Sequence, residues 1–365
     1  MTTIHLIAAA RPNFMKIAPL FHALTKESWC TTRIVHTGQH YDPNMSDSFF
    51  RDLRLPPPDF HLGVGSGTHA EQTAGVMIAY EKVALAERPN WIVVVGDVNS
   101  TAACALVGAK LWIPVVHLEA GLRSRDRQMP EEINRLVTDA IADVLWTPSP
   151  DADQNLLAEG VPTERIDFVG NIMIDSYEML RQQIEADGTR ASLGLTPRGY
   201  GVVTLHRPSN VDAADALGLL VSELASVATS LPLVFPVHPR TRQRLQQFGL
   251  LERLGGQRSI RLTEPLGYIQ FMNLVSNSRL AITDSGGVQE ETTYLGIPCL
   301  TLRDNTERPV TVSEGSNELI RPLALSERVR SLLAAPARTD ARRPALWDGH
   351  AADRCVAALR RRAGA

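Results

Sequence analysis

Carboxylates set just beyond hydrophobic strands are the first residues in this chain whose types and positions suit chemistry. Gly96-Asp97 closes the run Trp-Ile-Val-Val-Val at 91–95, and Glu119-Ala120-Gly121 closes the run at 114–118. Both acids therefore leave the same edge of a sheet, from strands expected to be neighbours. Glu131 and Glu132 follow in Met-Pro-Glu-Glu-Ile-Asn-Arg. Converging carboxylates repel, which raises at least one pKa and suits general acid/base work. Each also has an ordinary structural use: Asp97 as the cap of the next helix, Glu131 as an acid in the first turn after Pro130.

Cations and glycines occupy the same kind of position. Arg11-Pro12-Asn13-Phe14-Met15-Lys16 follows the first strand and opens a helix. A helix N-terminus attracts anions, so Arg11 and Lys16 beside it suit a phosphate; the alternative is a Pro-initiated helix with solvated charges. His206 ends another strand, and Arg207-Pro208 mark the turn that follows. In Asp284-Ser285-Gly286-Gly287-Val288-Gln289-Glu290-Glu291 a strand ends, two glycines admit a close ligand, and a helix begins with free amides suited to a pyrophosphate. Glu291, about one turn on, is placed to receive two ribose hydroxyls. The plain alternative is a glycine turn capped by Ser285. Arg303 and Arg308 lie beyond a further strand.

Short β-branched runs, each followed by a stretch of helical period, must carry these residues. They fall at 4–9, 32–36, 91–95, 114–118, 144–146 and 166–169, then at 201–205, 233–237, 259–262, 280–283, 299–302 and 318–320. Continuous apolar runs indicate strands covered on both faces, hence parallel sheets. Two doubly wound α/β domains are expected, with ligands beyond the carboxyl ends of the strands. The polar segment 175–197 suggests the break, giving domains at 1–172 and 173–345, with 346–365 as a helix packing back on the first. Residues 56–67, three prolines followed by glycines, read as a long loop and not as a dinucleotide fingerprint.

At 365 residues, two domains of ordinary size are expected. The balance of 37 basic against 40 acidic side chains argues against nucleic acid or a membrane surface as partner. No apolar run is long enough to span a bilayer. The beginning lacks a signal peptide's basic region, so a cytoplasmic protein is expected. Cys30, Cys104, Cys299 and Cys355 lie far apart, with neither CxxC pairs nor zinc-ligand spacing, so no metal is expected.

Taken jointly, Gly96-Asp97, His117-Leu118-Glu119-Ala120-Gly121-Leu122-Arg123, Pro130-Glu131-Glu132-Ile133-Asn134-Arg135, His206-Arg207-Pro208 and the segment from Asp284 to Glu291 resemble the non-hydrolysing UDP-N-acetylglucosamine 2-epimerase family. The resemblance runs from Ala10 to Pro309, and Trp347-Asp348-Gly349-His350-Ala351 is similar to the family's closing segment. It implies two Rossmann-like domains in a GT-B-like arrangement, the sugar nucleotide in the cleft, and a homodimer. By the same resemblance uridine stacks near Phe271 and Glu291 takes the ribose. Ser285, Gly286 and Gly287, with Arg11 and His206, take the diphosphate, while Lys16 and Arg308 surround phosphate and sugar. Asp97, Glu119 and Glu131 are the acid/base carboxylates, and His206 completes the catalytic set.

The implied partners are UDP-N-acetylglucosamine and UDP. Departure of UDP from carbon 1 acidifies the proton at carbon 2, and re-addition to a 2-acetamidoglucal delivers the epimer. No hydride moves, so no cofactor is required. Family members with substrate activation bind a second nucleotide sugar through two Gln residues and an Arg. Gln39 matches the first, but Asp42 and Glu71 stand at the other two positions, while Arg207 and His238 match residues of that site. An anionic effector should therefore be repelled, and activation weak or absent.

Three rivals stay open. A GT-B glycosyltransferase needs an acceptor site and a single base. A hydrolysing 2-epimerase, or one for a modified UDP-sugar such as a diacetamido uronate, shares most of these residues. A non-enzymatic nucleotide-sugar binder has no need of the carboxylates.

Overall fold

The computed structural model describes residues 1–38, 50, 52–335 and 343–365. Gln39 and Asp42 lie outside the described residues. The chain forms two compact units, Met1–Leu180 with Ala345–Ala365, and Arg181–Pro344.

In the first unit seven parallel strands, β1 (Thr2–Ala8), β2 (Cys30–His36), β3 (Phe60–His61), β4 (Trp91–Val95), β5 (Val115–Leu118), β6 (Val144–Thr147) and β7 (Ile166–Phe168), run in the order β3-β2-β1-β4-β5-β6-β7. The apolar run of β4 is buried because helices cover it. Ile92 and Val94 pack with Tyr80 and Ala84 of the helix His69–Glu87 and with Ala103 and Val107 of the helix Asn99–Lys110. Burying Ile92, Val94 or Val107 contributes about 1.5–3 kcal/mol each.

Two expectations are corrected here. Residues 56–67 are not wholly loop: Phe60 and His61 pair with Val35 and His36 as an edge strand, and Phe60 packs on the core. Nor does the chain break at 172. The helix Ile172–Ala186 is continuous, and its first turns bury Ile172, Ile174, Tyr177 and Leu180 in the first unit. Ser176 there donates to the carbonyl of Met15 at 2.6 Å. The closing helix Ala351–Ala363 also belongs to this unit, its first amides from Ala351 and Ala352 donating to Asp175 at 3.1 and 2.7 Å.

In the second unit six parallel strands, β8 (Gly201–Thr204), β9 (Leu233–Pro236), β10 (Ile260–Thr263), β11 (Leu280–Thr283), β12 (Cys299–Thr301) and β13 (Asn317–Leu319), run in the order β10-β9-β8-β11-β12-β13. Its core joins Val203, Phe235 and Ile282 to Leu217, Leu220 and Leu224 of the helix Ala214–Val227. Both units are Rossmann-like. No helix among the described residues is long and apolar enough to cross a membrane.

Candidate active site

Each sheet reverses its strand order once, between β1 and β4 in the first unit and between β8 and β11 in the second. At such a switch point the loops diverge and leave a crevice beyond the strand ends. Lys16, Asp97 and Glu119 follow strands β1, β4 and β5 beside the first of these points, and His206 and Ser285 follow β8 and β11 beside the second.

In the first unit β1 leads into the helix Arg11–Leu24. The Arg11 side chain lies outside the described set. Asn13 ties the helix start to the neighbouring strand: its Nδ2 donates to the Val95 carbonyl at 3.0 Å and its Oδ1 accepts from the Ala10 amide at 3.0 Å. One turn on, buried Lys16 forms an ion pair with Glu119. Glu119 stands just past β5 with φ 72°, a left-handed conformation that a residue with a Cβ adopts at a cost. Gly96, φ 68°, ends β4 beside this pair; a Cβ there would lie 3.3 Å from Nζ of Lys16 and 3.6 Å from Oε2 of Glu119.

Asp97 follows, partly exposed, and accepts from Nη2 of Arg135 at 2.6 Å. It does not cap the next helix, whose N-cap is Val98. Glu132 accepts from Arg135 at 2.8 Å and from the amides of Ser124 and Arg125. Burial pushes the Glu132 carboxyl up, but these donors outweigh it and hold it below its usual range. The expected repulsion among converging carboxylates is thus corrected: Asp97 faces Arg135 and Glu119 faces Lys16. Glu131 stands exposed in the first turn of the helix Pro130–Ile141. Arg135 was not singled out in the sequence, although it lies three and four residues beyond the two glutamates, on the helix face they share.

In the second unit His206 lies just past β8, with Nδ1 3.0 Å from Oδ1 of Asp284. Asp284 is fully buried beyond β11 and accepts from the amides of His206 and Arg207 and from Nδ2 of Asn210, at 2.9–3.1 Å. Burial alone would raise the Asp284 carboxyl; His206 and these donors hold it low. Asp284 is therefore the residue that orients His206, a role not read from the sequence.

Ser285 is the N-cap of the helix Gly286–Leu295 and makes no side-chain capping bond, which goes against the plain alternative of a Ser285-capped turn. Its first-turn amides have no intrahelical partners, as in any helix, and suit an anion. Arg308 is buried at this helix start, 2.7 Å from Glu290 and 2.7 Å from Glu307, with Arg303 2.8 Å from Glu307 on the other side. One turn along, Glu291 is buried. Desolvation raises its carboxyl to about 8 against the opposing effect of the Tyr268 hydroxyl, and neighbouring Glu290 raises it further. A carboxyl neutral at pH 7 both donates and accepts, which matches a pair of hydroxyls. Phe271, on the helix Tyr268–Ser276, packs partly buried against Ala281, Val288 and Cys299.

Arg207 donates from Nε to the Asp284 carbonyl at 3.0 Å, and the His238 ring lies 5.7 Å from that of His206. Burial, then His206 and Arg240, lower the His238 pKa. Glu71 is spent within its own helix: it accepts from the Thr68 amide at 2.8 Å while Thr68 accepts from the Glu71 amide at 3.2 Å. A cavity of about 570 Å³ opens at the opposite end of the second sheet, among Arg279, Cys299, Asn317 and Arg328, where strands begin. It gathers no comparable set of acids and glycines. Among the described residues no cluster of His, Cys, Asp and Glu could hold a metal ion.

A profile of the UDP-N-acetylglucosamine 2-epimerase family matches residues 22–360. The chain is 44% identical over 324 residues to a UDP-N-acetylglucosamine 2-epimerase of Methanocaldococcus jannaschii, covering 87% of this chain and 88% of that one. It is 40% identical over 318 residues, 86% and 87% of the two chains, to a UDP-2,3-diacetamido-2,3-dideoxy-D-glucuronate 2-epimerase of Pseudomonas aeruginosa. A crystal structure of the Methanocaldococcus jannaschii UDP-GlcNAc 2-epimerase, in complex with UDP-GlcNAc and UDP, superposes with a TM-score of 0.89 at 41% identity, covering 98% of this chain and 99% of that one.

Proposed function

Because the chain belongs to the UDP-N-acetylglucosamine 2-epimerase family, we propose that it interconverts UDP-N-acetylglucosamine and UDP-N-acetylmannosamine without net hydrolysis. UDP leaves carbon 1 as the proton at carbon 2 is removed, giving a 2-acetamidoglucal. UDP then adds back as a proton returns to the opposite face.

The observation that carries this reading is the pair of acids at adjacent strand ends, Asp97 on Arg135 and Glu119 on Lys16. A carboxylate facing a cation is an acceptor that can take a proton and, once protonated, a donor that can return it. Two faces of carbon 2 call for two such groups. Leaving-group charge is met by the helix amides beyond Ser285, by Arg308 and by His206, which Asp284 holds in place. Glu291 takes the ribose, and uridine lies near Phe271.

Incubation with UDP-N-acetylglucosamine in deuterated water, followed by NMR, tests the scheme. Deuterium at carbon 2 of a UDP-N-acetylmannosamine product is expected. Free N-acetylmannosamine as the sole product, or unlabelled sugar, overturns it.

The 40% identity to a diacetamido-glucuronate epimerase supports a second substrate reading on the same chemistry. Comparing kcat/KM for the two UDP-sugars decides between them.

A further inference from the structure

Beneath the two acid-bearing turns lies a buried polar chain to which nothing above gives a role. His117 is on β5, fully buried, where its strand neighbours Val115, Val116 and Leu118 are apolar. An apolar side chain would fill that place without desolvating a carboxylate. Instead His117 Nε2 donates to the Gly96 carbonyl at 2.8 Å, and Nδ1 lies 2.5 Å from Oδ1 of buried Asp139. The Gly96 carbonyl only accepts, so Nε2 carries a proton, and one further proton lies between Nδ1 and Oδ1. Asp139 Oδ2 accepts from the Gly121 amide at 3.0 Å and from Arg123 at 2.7 Å.

Gly96 immediately precedes Asp97, and Gly121 lies two residues beyond Glu119. Gly96, Glu119 and Gly121 all have positive φ, at 68°, 72° and 79°. The two glycines take such angles freely, whereas Glu119 holds its angle only where surrounding contacts over-determine it. The Gly121 side is closed by packing, since a Cβ there would stand 2.5 Å from the Ala152 carbonyl. The Gly96 amide donates directly to the Leu118 carbonyl at 3.1 Å, and a second, side-chain route from one turn to the other runs through His117 and Asp139.

We propose that His117 and Asp139 are positioning residues for the reaction: they fix the Asp97 turn against the Glu119 turn, and so set where the two carboxylates meet the sugar. The inference rests on the epimerase reading above, and neither residue touches substrate in it. Misplacing one carboxylate changes how the glycal partitions between its faces. Losing folded molecules scales every rate equally and leaves that partition alone.

The test uses His117→Gln and the near-isosteric Asp139→Asn, the second standing in should the first fail to fold. Each is run in deuterated water on the UDP-sugar the parent accepts. The readout is the ratio of deuterium entering recovered substrate to deuterium entering epimer, with kcat and UDP affinity measured alongside. The ratio is expected to shift at least threefold, and kcat per folded molecule to fall about 10–100-fold, the scale for displacements near 1 Å. UDP affinity should stay within about twofold, because most of the groups proposed to hold UDP, His206, Ser285, Glu291 and Arg308 among them, lie in the other unit. A ratio equal to the parent's overturns the positioning role, whatever happens to kcat. A parent enzyme that incorporates no deuterium overturns the epimerase reading, and this inference with it.

Discussion

Gly286 makes room for Arg308: a Cβ built on Gly286 would stand 2.8 Å from Nη1 of Arg308 and 2.8 Å from Oε1 of Glu307. The absence of a side chain lets a buried guanidinium sit at the start of a ten-residue helix, where a diphosphate is proposed to bind. A Cβ on Gly287, one residue on, meets nothing within 4 Å.

The two glycines should therefore respond differently to alanine. Gly286→Ala displaces Arg308 from Glu290 and Glu307 and is expected to destabilise the protein by about 1–3 kcal/mol, the usual cost of overpacking. Gly287→Ala should be neutral or stabilising by up to about 1 kcal/mol in the ligand-free protein, through helix propensity. Urea unfolding of both variants checks this.

Glu119 combines chemistry with a left-handed backbone, and two substitutions separate the effects. Glu119→Gly and Glu119→Ala both remove the carboxylate facing Lys16, so each should lower kcat by about 10²–10⁴-fold. The glycine variant should nonetheless be more stable than the alanine variant by about 1–2 kcal/mol, because only glycine adopts φ 72° without strain. Asp97→Asn should show the kinetic loss alone. UDP affinity, measured by titration calorimetry, should change little in all three.

Glu291 predicts a pH dependence with a definite sign. Its carboxyl is raised to about 8 by burial, against about 4.3 for an unfolded glutamate. Between those values the folded protein keeps a proton that the unfolded chain has released. The resulting stabilisation is complete below about pH 4 and is lost as the pH rises through 8. Thermal melts of the ligand-free protein should show this decline relative to Glu291→Gln, which cannot titrate. Glu291→Ala should weaken UDP about tenfold or more, if each of two ribose hydrogen bonds is worth about 0.5–1.5 kcal/mol. An Ala variant that binds UDP like the parent would remove the ribose role.

Substrate activation is expected to be weak or absent. By the resemblance described above, Glu71 is expected to stand where activated relatives carry an arginine, and it closes a capping box with Thr68 that favours its charged form. Initial rates against UDP-N-acetylglucosamine concentration should follow a hyperbola. A strongly sigmoidal curve would contradict this reading.

How much of this could be read without coordinates differs by kind of feature. The strands were legible because a buried parallel strand is a continuous apolar run, and Trp91–Val95 or Leu280–Thr283 have no other way to hide their side chains. The strand-end position of Asp97, Glu119, His206 and Ser285 was legible for the same reason, since chain order alone puts them just past those runs. The edge strand Phe60–His61 was hidden among prolines and glycines, being too short to show alternation. The unit boundary falls within the polar segment 175–197, but its exact place was hidden because the helix Ile172–Ala186 carries its apolar face without interruption past Leu180.

Partnership was the part that sequence left undecided. Lys16 and Glu119 are 103 residues apart, Arg135 and Asp97 are 38, and His206 and Asp284 are 78. Local periodicity carries no information over such separations, so repulsion among acids looked natural until the cations between them were placed. The amino-acid string by itself determined which groups reach the rims of the two sheets, because strand ends are set by local burial. Only the tertiary structure decided which opposite charge each group meets there, because that depends on strand order and on helices packing across neighbouring strands.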